Sequence, residues 1–264
     1  ACLELGFEKR GLRTVAAHRR RHGPLAVQRP FYPEGDVCHL YLLHPPGGVV
    51  GGDALDIRVR AGSGSRALVT TPGATKFYRS AGATAAVTQT LQVGAGAVLE
   101  WLPQEAILFP GAVVRQRTRV ELDPGGCFAG WDILCLGRPS NAESFAPGRL
   151  DISLEVWRDG VPVLNDRLRV DDGGDLGGAA GLRGRPVSAT LLVTPATADD
   201  VEQIRELAVA GRGEIGVTLL EDLLAVRLLA DDTAAAKEVL QTAWRMLRPR
   251  YAGRPAHPPR IWAT

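Results

Sequence analysis

The sequence predicts a mainly β protein, a stack of short strands with a β-helix-like arrangement and two α-helices in the C-terminal quarter. Three features predict it. Residues 36–200 break into short apolar-rich segments divided by Gly, Pro and Asp, the pattern of strands and turns. Glycine (31) and proline (18) are both abundant in the 264 residues, which favours turns over long helices. A unit of strand, glycine turn, apolar strand and proline corner also recurs at roughly 30-residue intervals.

The unit appears at Ile57–Pro72 around Gly62-Ser63-Gly64, at Leu91–Pro103 around Gly94-Ala95-Gly96, and at Val120–Pro139 around Pro124-Gly125-Gly126. Units of this kind bury their faces on their neighbours. The expected strands are Cys38–Leu43, Leu55–Arg60, Arg66–Thr71, Ala86–Val93, Ala97–Leu102, Arg115–Leu122, Phe128–Leu136, Leu150–Arg158, Val161–Val170 and Ser188–Thr194. Asp159-Gly160 is the dipeptide that type I′ hairpin turns prefer. Thr197 caps a helix whose apolar positions are Val201, Ile204, Leu207 and Ala208. Ile215–Leu220 and Leu223–Leu229 read as a hairpin. Thr233 opens a second helix with Val239, Leu240, Ala243, Trp244 and Leu247 on one face, and Pro249 is expected to stop it. Pro255, Pro258 and Pro259 predict an extended tail over Arg250–Thr264. The glycine-rich segment Asp171–Gly184 reads as a variable loop. No Ser-rich or charged linker interrupts the chain, so residues 1–264 are expected to form a single domain.

Composition excludes several functions. A net charge of +2 and a pI near 8.5 are too mild for a nucleic-acid footprint. The one basic cluster, His18-Arg19-Arg20-Arg21-His22, reads as a solvated loop or edge, with an acidic partner as the alternative. No apolar run approaches the ~18 residues of a membrane span, and Ala1–Arg13 is too charged for a signal peptide. Cys2, Cys38, Cys127 and Cys135 show no C-x-x-C spacing. Reduced cysteines in a cytoplasmic protein are the expectation.

The run Pro45-Pro46-Gly47-Gly48-Val49-Val50-Gly51-Gly52-Asp53 is a shaped turn that ends on a carboxylate. Gly62-x-Gly64 and Gly94-x-Gly96 suggest nucleotide loops, but that reading needs a helix after each, and strands follow both. Cys38 and His39 resemble a metal pair. Adjacent side chains of a strand point to opposite faces, so Cys38 belongs with Leu40 and Leu42, and His39 with Tyr41 and Leu43. Glu100, Glu105 and Asp132 sit in apolar frames, and Asp53 closes the glycine run. A carboxylate removed from water must be paired or must line a wet cavity. Two readings stay open: internal pairs with arginines such as Arg79, Arg115 or Arg138, and a hydrated path of oxygen ligands that holds a passing transition ion weakly. Ser63, Ser65, Ser80, Ser140 and Ser144 lack a Gly-x-Ser-x-Gly nucleophile elbow. A glycosidase built on paired carboxylates is the remaining catalytic alternative.

Several phrases together resemble the UreD (UreH) family of urease accessory proteins. They are Gly23–Glu34, Cys38–His44 leading into the glycine run, Thr71–Ser80, Leu99–Ala112, Trp131-Asp132 with Leu136-Gly137-Arg138-Pro139, Leu247–Tyr251 and Pro259–Trp262. The match runs in order from about Gly23 to the C-terminus. One departure is Ala142, where the family usually has Gly, and that change matters only if the backbone there needs φ > 0.

The resemblance implies a non-enzymatic maturation factor with a mostly-β, helix-like fold. It implies binding to apo-urease and to a UreF-type partner, which recruits a UreG-type GTPase. GTP hydrolysis then drives nickel into the urease active site. No tightly bound cofactor is implied, only transient nickel. Family accounts include a water-filled route, for which Asp53, Thr75 and Asp132 are the first candidates, with Glu100 and Glu105 behind them. A docking face leaves apolar surface exposed, and Phe31, Tyr32, Arg260 and Trp262 are candidates for it. A purely structural adaptor without ion passage is the alternative.

Overall fold

The structure, a computed structural model, describes residues 1–171, 175–179, 181–207 and 213–263. In chain order the strands begin with a hairpin, β1 (Cys2–Arg10) and β2 (Arg13–His22), followed by β3 (Ala26–Val27) and β4 (Cys38–Leu43). The stacked coils follow: β5 (Ala54–Ala61), β6 (Arg66–Thr70), β7 (Thr75–Phe77), β8 (Ala85–Val93), β9 (Val98–Trp101), β10 (Ala106–Leu108), β11 (Val113–Leu122) and β12 (Cys127–Leu136). Then come the hairpin β13 (Arg149–Arg158) and β14 (Val161–Val170), β15 (Val187–Thr194), helix α1 (Ala198–Arg205), the hairpin β16 (Gly213–Leu220) and β17 (Leu223–Ala230), and helix α2 (Thr233–Ala252).

Each coil turns corners between three faces. β5, β8 and β11 stack in parallel on one face, β6, β9 and β12 on the second, and β7 and β10 on a short third. Leu55 lies beside Val87, and Val87 beside Gln116, so the roughly 30-residue unit read in the sequence is one coil. Glycine marks the corners because the turns stack backbone on backbone. A Cβ on Gly94 would sit 2.9 Å from the Ser63 nitrogen and 3.0 Å from the Ala61 oxygen. The glycine run obeys the same rule, since a Cβ on Gly48 would lie 2.2 Å from the Tyr78 ring. Val49 bridges to Phe77 and so continues the third face.

The first sheet runs β14-β13-β11-β8-β5-β1-β2 and the second β16-β17-β15-β12-β9-β6-β4-β3. Their facing sides enclose one apolar core that includes Phe7, Leu40, Leu91, Leu99, Phe128 and Leu192. A second core lies between the outer face of the second sheet and the helices, where Trp131, Ile133, Leu191 and Val226 meet Ile204, Leu240, Trp244 and Leu247. Period-2 alternation explains the two layers. In β12, Phe128, Leu134 and Leu136 face the first sheet, while Ala129, Trp131, Ile133 and Cys135 face the helices.

All ten expected strands are present, as is the β16–β17 hairpin. Asp159 and Gly160 both have positive φ, at 49° and 77°, as a type I′ turn requires. Cys38 joins the inter-sheet core and His39 the opposite face, where its Nε2 lies 2.7 Å from Glu34. Thr197 caps α1 in a capping box with Asp200. That helix ends at Arg205, so Leu207 lies beyond it and Ala208 falls outside the described residues.

Other expectations are corrected. Pro249 does not stop α2, which continues to Ala252 and closes at Gly253 with φ 67°. Arg248 and Tyr251 both bond Glu100, and these anchors hold the last turn despite the lost N–H. The N-terminal hairpin carries two strands where none was expected, and β2 places His18–His22 on an exposed sheet edge. The tail holds a 3-10 turn at Arg260–Ala263. Within Asp171–Gly184, Asp175–Gly177 forms another.

Candidate functional site

The inter-sheet core is largely apolar, and polar side chains of both sheets meet along one seam. In β11 the inward row reads Val114, Gln116, Thr118, Val120, Leu122, with all five buried. Thr118 lies in register with Gln89 of β8 on one side and Leu154 of β13 on the other, and Leu154 with Asp166 of β14. In the facing sheet Asp132 of β12 lies in register with Thr190 of β15, and Thr190 with Arg227 of β17. Directly paired residues share a face, so two polar rows oppose each other across the sandwich.

Side-chain contacts join the rows. The Gln116 amide donates to Asp132 Oδ2 at 2.6 Å. Thr118 Oγ1 donates to Gln89 Oε1 at 3.2 Å. Arg227 spans the two sheets, with Nε 3.0 Å and Nη2 2.9 Å from Asp166 Oδ2.

Asp132 occupies the centre of this seam. It lines a cleft of about 640 Å³ whose walls include Asp166, Ser188, Thr190, Glu214 and Arg227. It also lines an inner void of about 30 Å³ together with Gln89, Thr118 and Trp101. Burial pushes its carboxyl up to about 6, against the opposing pull of hydrogen bonds from Gln116 and the Ile133 backbone. Among the described residues no cationic side chain pairs with it, so the charge is left available to a visitor from the cleft. Such a carboxylate attracts a cation above its pKa and releases it on protonation.

The other sequence-selected residues are placed elsewhere. Asp53 accepts from the Val50 N–H at 3.0 Å and closes the glycine turn. Thr75 opens β7 and lines a separate hollow of about 370 Å³ with His44, Gly47 and Gly48. Glu100 points from β9 toward the helices and is fully enclosed. It accepts from Trp244, Tyr251 and Arg248, at 2.7, 2.7 and 2.8 Å. Arg248 also binds Glu34, and its Nη1 donates to the Pro255 carbonyl, which ties the tail to the helix. Glu105 pairs with Lys237 at 2.9 Å. The ion partners are therefore Arg248 and Lys237, not Arg79, Arg115 or Arg138. Both come from α2, more than 130 positions away, which no local pattern could indicate.

Phe31 and Tyr32 lie beside β4. Phe31 packs edge-on against Tyr41, and Arg13 stacks over the Tyr32 ring. Arg260 is exposed. Trp262 turns inward onto Trp131 and Trp244, and its indole N–H donates to Thr70. Among the described residues, no three His, Cys, Asp or Glu side chains converge to hold a metal ion, and no helix is long and apolar enough to cross a membrane. Gln89, Gln116, Thr118, Asp166 and Arg227 were not selected from the sequence. Their signal was available, because each interrupts the inward phase of an alternating strand.

Stacked coils with a helical flank and a cleft-fed polar seam define a β-solenoid-like protein. The chain belongs to the UreD urease accessory protein family, whose model matches residues 1–263. It is 48% identical over 264 residues to the urease accessory protein UreD of Alcanivorax borkumensis, covering 99% of this chain and 90% of that one. It is 47% identical over 264 residues to the UreD of Pseudomonas putida strain W619 (100% and 94% covered). Against the UreD of Klebsiella aerogenes the figure is 46% over 265 residues (100% and 96%). The protein is thus an accessory factor rather than an enzyme, with a role in urease maturation.

Proposed function

We propose that this chain binds apo-urease together with a UreF-type partner and, through it, a UreG-type GTPase, and that it conveys nickel to the urease active site along the inter-sheet seam. Nickel is cargo on this reading, held weakly and in passing by oxygen ligands. Asp132 is the central ligand, with Thr118, Gln89 and Thr190 as neutral oxygen donors beside it. Thr75 lines a second hollow at the third face, Asp53 closes the glycine turn whose Gly47 and Gly48 also line it, and both are proposed to serve the route where it leaves the coils. Glu100 and Glu105 hold α2 in place. Phe31, Tyr32 and Arg260 contribute to partner docking, while Trp262 shapes that face from within.

The observation that carries the reading is the position of Asp132. A carboxylate with no cationic partner among the described residues lines both the cleft and the inner void. A group that served the fold alone would be paired, as Glu100 is. A protein-lined path also keeps nickel from sites that would otherwise compete for it.

The test is nickel per active site in urease matured with Asp132→Asn in place of the wild-type chain, with recovery of the assembled complex measured alongside. An intact complex with under-loaded urease supports conduction. Full loading overturns it, and loss of the complex together with loading points to the adaptor reading.

A further inference from the structure

The mouth of the cleft carries a feature that conduction alone does not require. Arg227 and Asp166 come from different sheets and meet at its edge, with side chains 41% and 35% exposed. Arg227 stands in the same cross-sheet row as Asp132, with only Thr190 between them. Two strand spacings separate them, roughly 10 Å. An unpaired guanidinium at that distance lies within about one Debye length of the carboxylate and of any ion approaching it. Only Asp166 is bonded to this arginine among the described contacts.

We propose that the Asp166–Arg227 pair is a charge gate for divalent cations entering the cleft, an inference that rests on the conduction reading above. Asp166 neutralises Arg227 and holds it against the first sheet. It also lines the cleft as a part-exposed carboxylate, as does Glu214, which is paired with Arg183. Asp166 draws a cation in while the guanidinium of Arg227, which also lines the cleft, repels it, so the carboxylate promotes entry and the arginine restrains it. The pair therefore sets the entry rate, and its two members act with opposite signs. A structural ion pair behaves differently, because loss of either partner then weakens the same contact.

The experiment uses the full accessory complex with apo-urease and Ni²⁺, and reads the initial rate of nickel incorporation by metal analysis. Complex recovery and thermal stability are measured for every variant. Asp166→Asn leaves Arg227 uncompensated and is expected to slow incorporation about three- to tenfold, as unit charges about 10 Å apart in a wet cleft imply. Arg227→Gln frees Asp166 and is expected to raise the rate by a similar factor. The double variant should return close to the wild-type rate. The effect of Asp166→Asn should shrink as salt rises. Single variants that shift the rate in the same direction, or an Asp166→Asn effect indifferent to salt, overturn the gate. Asp132→Asn run in parallel separates the two ideas. If it leaves incorporation unchanged, the conduction reading fails and the gate falls with it. If it slows incorporation while the gate variants behave alike, only the gate fails.

Discussion

Gln116 and Asp132 face each other from opposite sheets, joined by an amide-to-carboxylate hydrogen bond of 2.6 Å. The bond favours the ionised form of a carboxyl that burial nonetheless pushes up to about 6. Gln116→Leu removes the donor and nearly preserves the volume, so the pKa of Asp132 should rise further. A carboxyl chemical-shift titration of the two proteins would read it directly. An unchanged or lowered midpoint would mean that the amide does not set the charge.

The same carboxyl gives a pH dependence whose sign is fixed. Its folded pKa of about 6 lies above the ordinary aspartate value of 3.8. The folded state therefore holds this proton more tightly than the unfolded chain does. Stability from this group is greatest below about pH 4, falls as pH rises to about 6 and is flat beyond. The full difference is at most about 3 kcal/mol. Asp132→Asn should remove that slope and raise the melting temperature at pH 7.5 while impairing nickel transfer. A variant less stable than wild type at that pH would show that the charge is better accommodated than burial implies.

Glu34 has the opposite sign. Burial alone would raise its pKa, but hydrogen bonds from His39 and Arg248 outweigh it and hold the carboxyl at about 2. This stabilisation is complete above the ordinary carboxylate value of 4.5 and is lost as pH falls toward 2. Arg248→Met leaves Glu34 and Glu100 buried without their cation, a change expected to cost about 3–5 kcal/mol. Denaturant unfolding at pH 7 tests it, and a loss below about 1 kcal/mol would show that the two acids find other partners.

The corner glycines separate two kinds of requirement. Gly94→Ala places a methyl against the backbone of the preceding coil, which cannot yield as a side chain does. A loss of about 1–3 kcal/mol is expected. Gly73→Ala meets nothing within 4 Å and has no positive φ, so it should be neutral or slightly stabilising. Parallel thermal melts decide, and equal effects would contradict the stacking account.

The coils were legible in the sequence because each repeats the same local chemistry. Leu55, Val87 and Gln116 stack because the glycine turns between their strands have similar lengths and force similar corners. The β13–β14 turn was legible because Asp159-Gly160 permits two successive positive φ angles. The hairpin at Cys2–His22 was obscured by its second strand, where five consecutive basic or histidine residues hide the alternation that Leu3, Leu5 and Phe7 keep in the first. In the candidate site Asp132 was legible as a carboxylate in an apolar frame. The partners of Glu100 and Glu105 were not, since α2 reaches them only through tertiary packing. Gln116 and Thr118 lay between, visible as polar interruptions of the row Val114–Leu122 once that row is known to face inward.

Ala142 offers a test of how local the fold's constraints are. It follows the short 3-10 turn at Pro139–Asn141 with φ 55° and ψ 30°, and its N–H donates to the Pro139 carbonyl. Alanine in this left-handed region bears a clash between Cβ and the carbonyl oxygen of roughly 1–2 kcal/mol, which glycine lacks. The residue is exposed, so its methyl contributes little by burial. Ala142→Gly relieves the clash but adds freedom to the unfolded chain, which offsets about 0.4–1 kcal/mol. A net gain of about 0.5–1 kcal/mol is expected, a rise of roughly 2 °C in melting temperature for a chain of this size. Assembly with partners should be unaffected, because the bidentate Arg138–Glu143 pair that closes the turn remains. A loss of stability on Ala142→Gly would mean that unfolded-state entropy outweighs the strain, and that alanine is tolerated there without penalty.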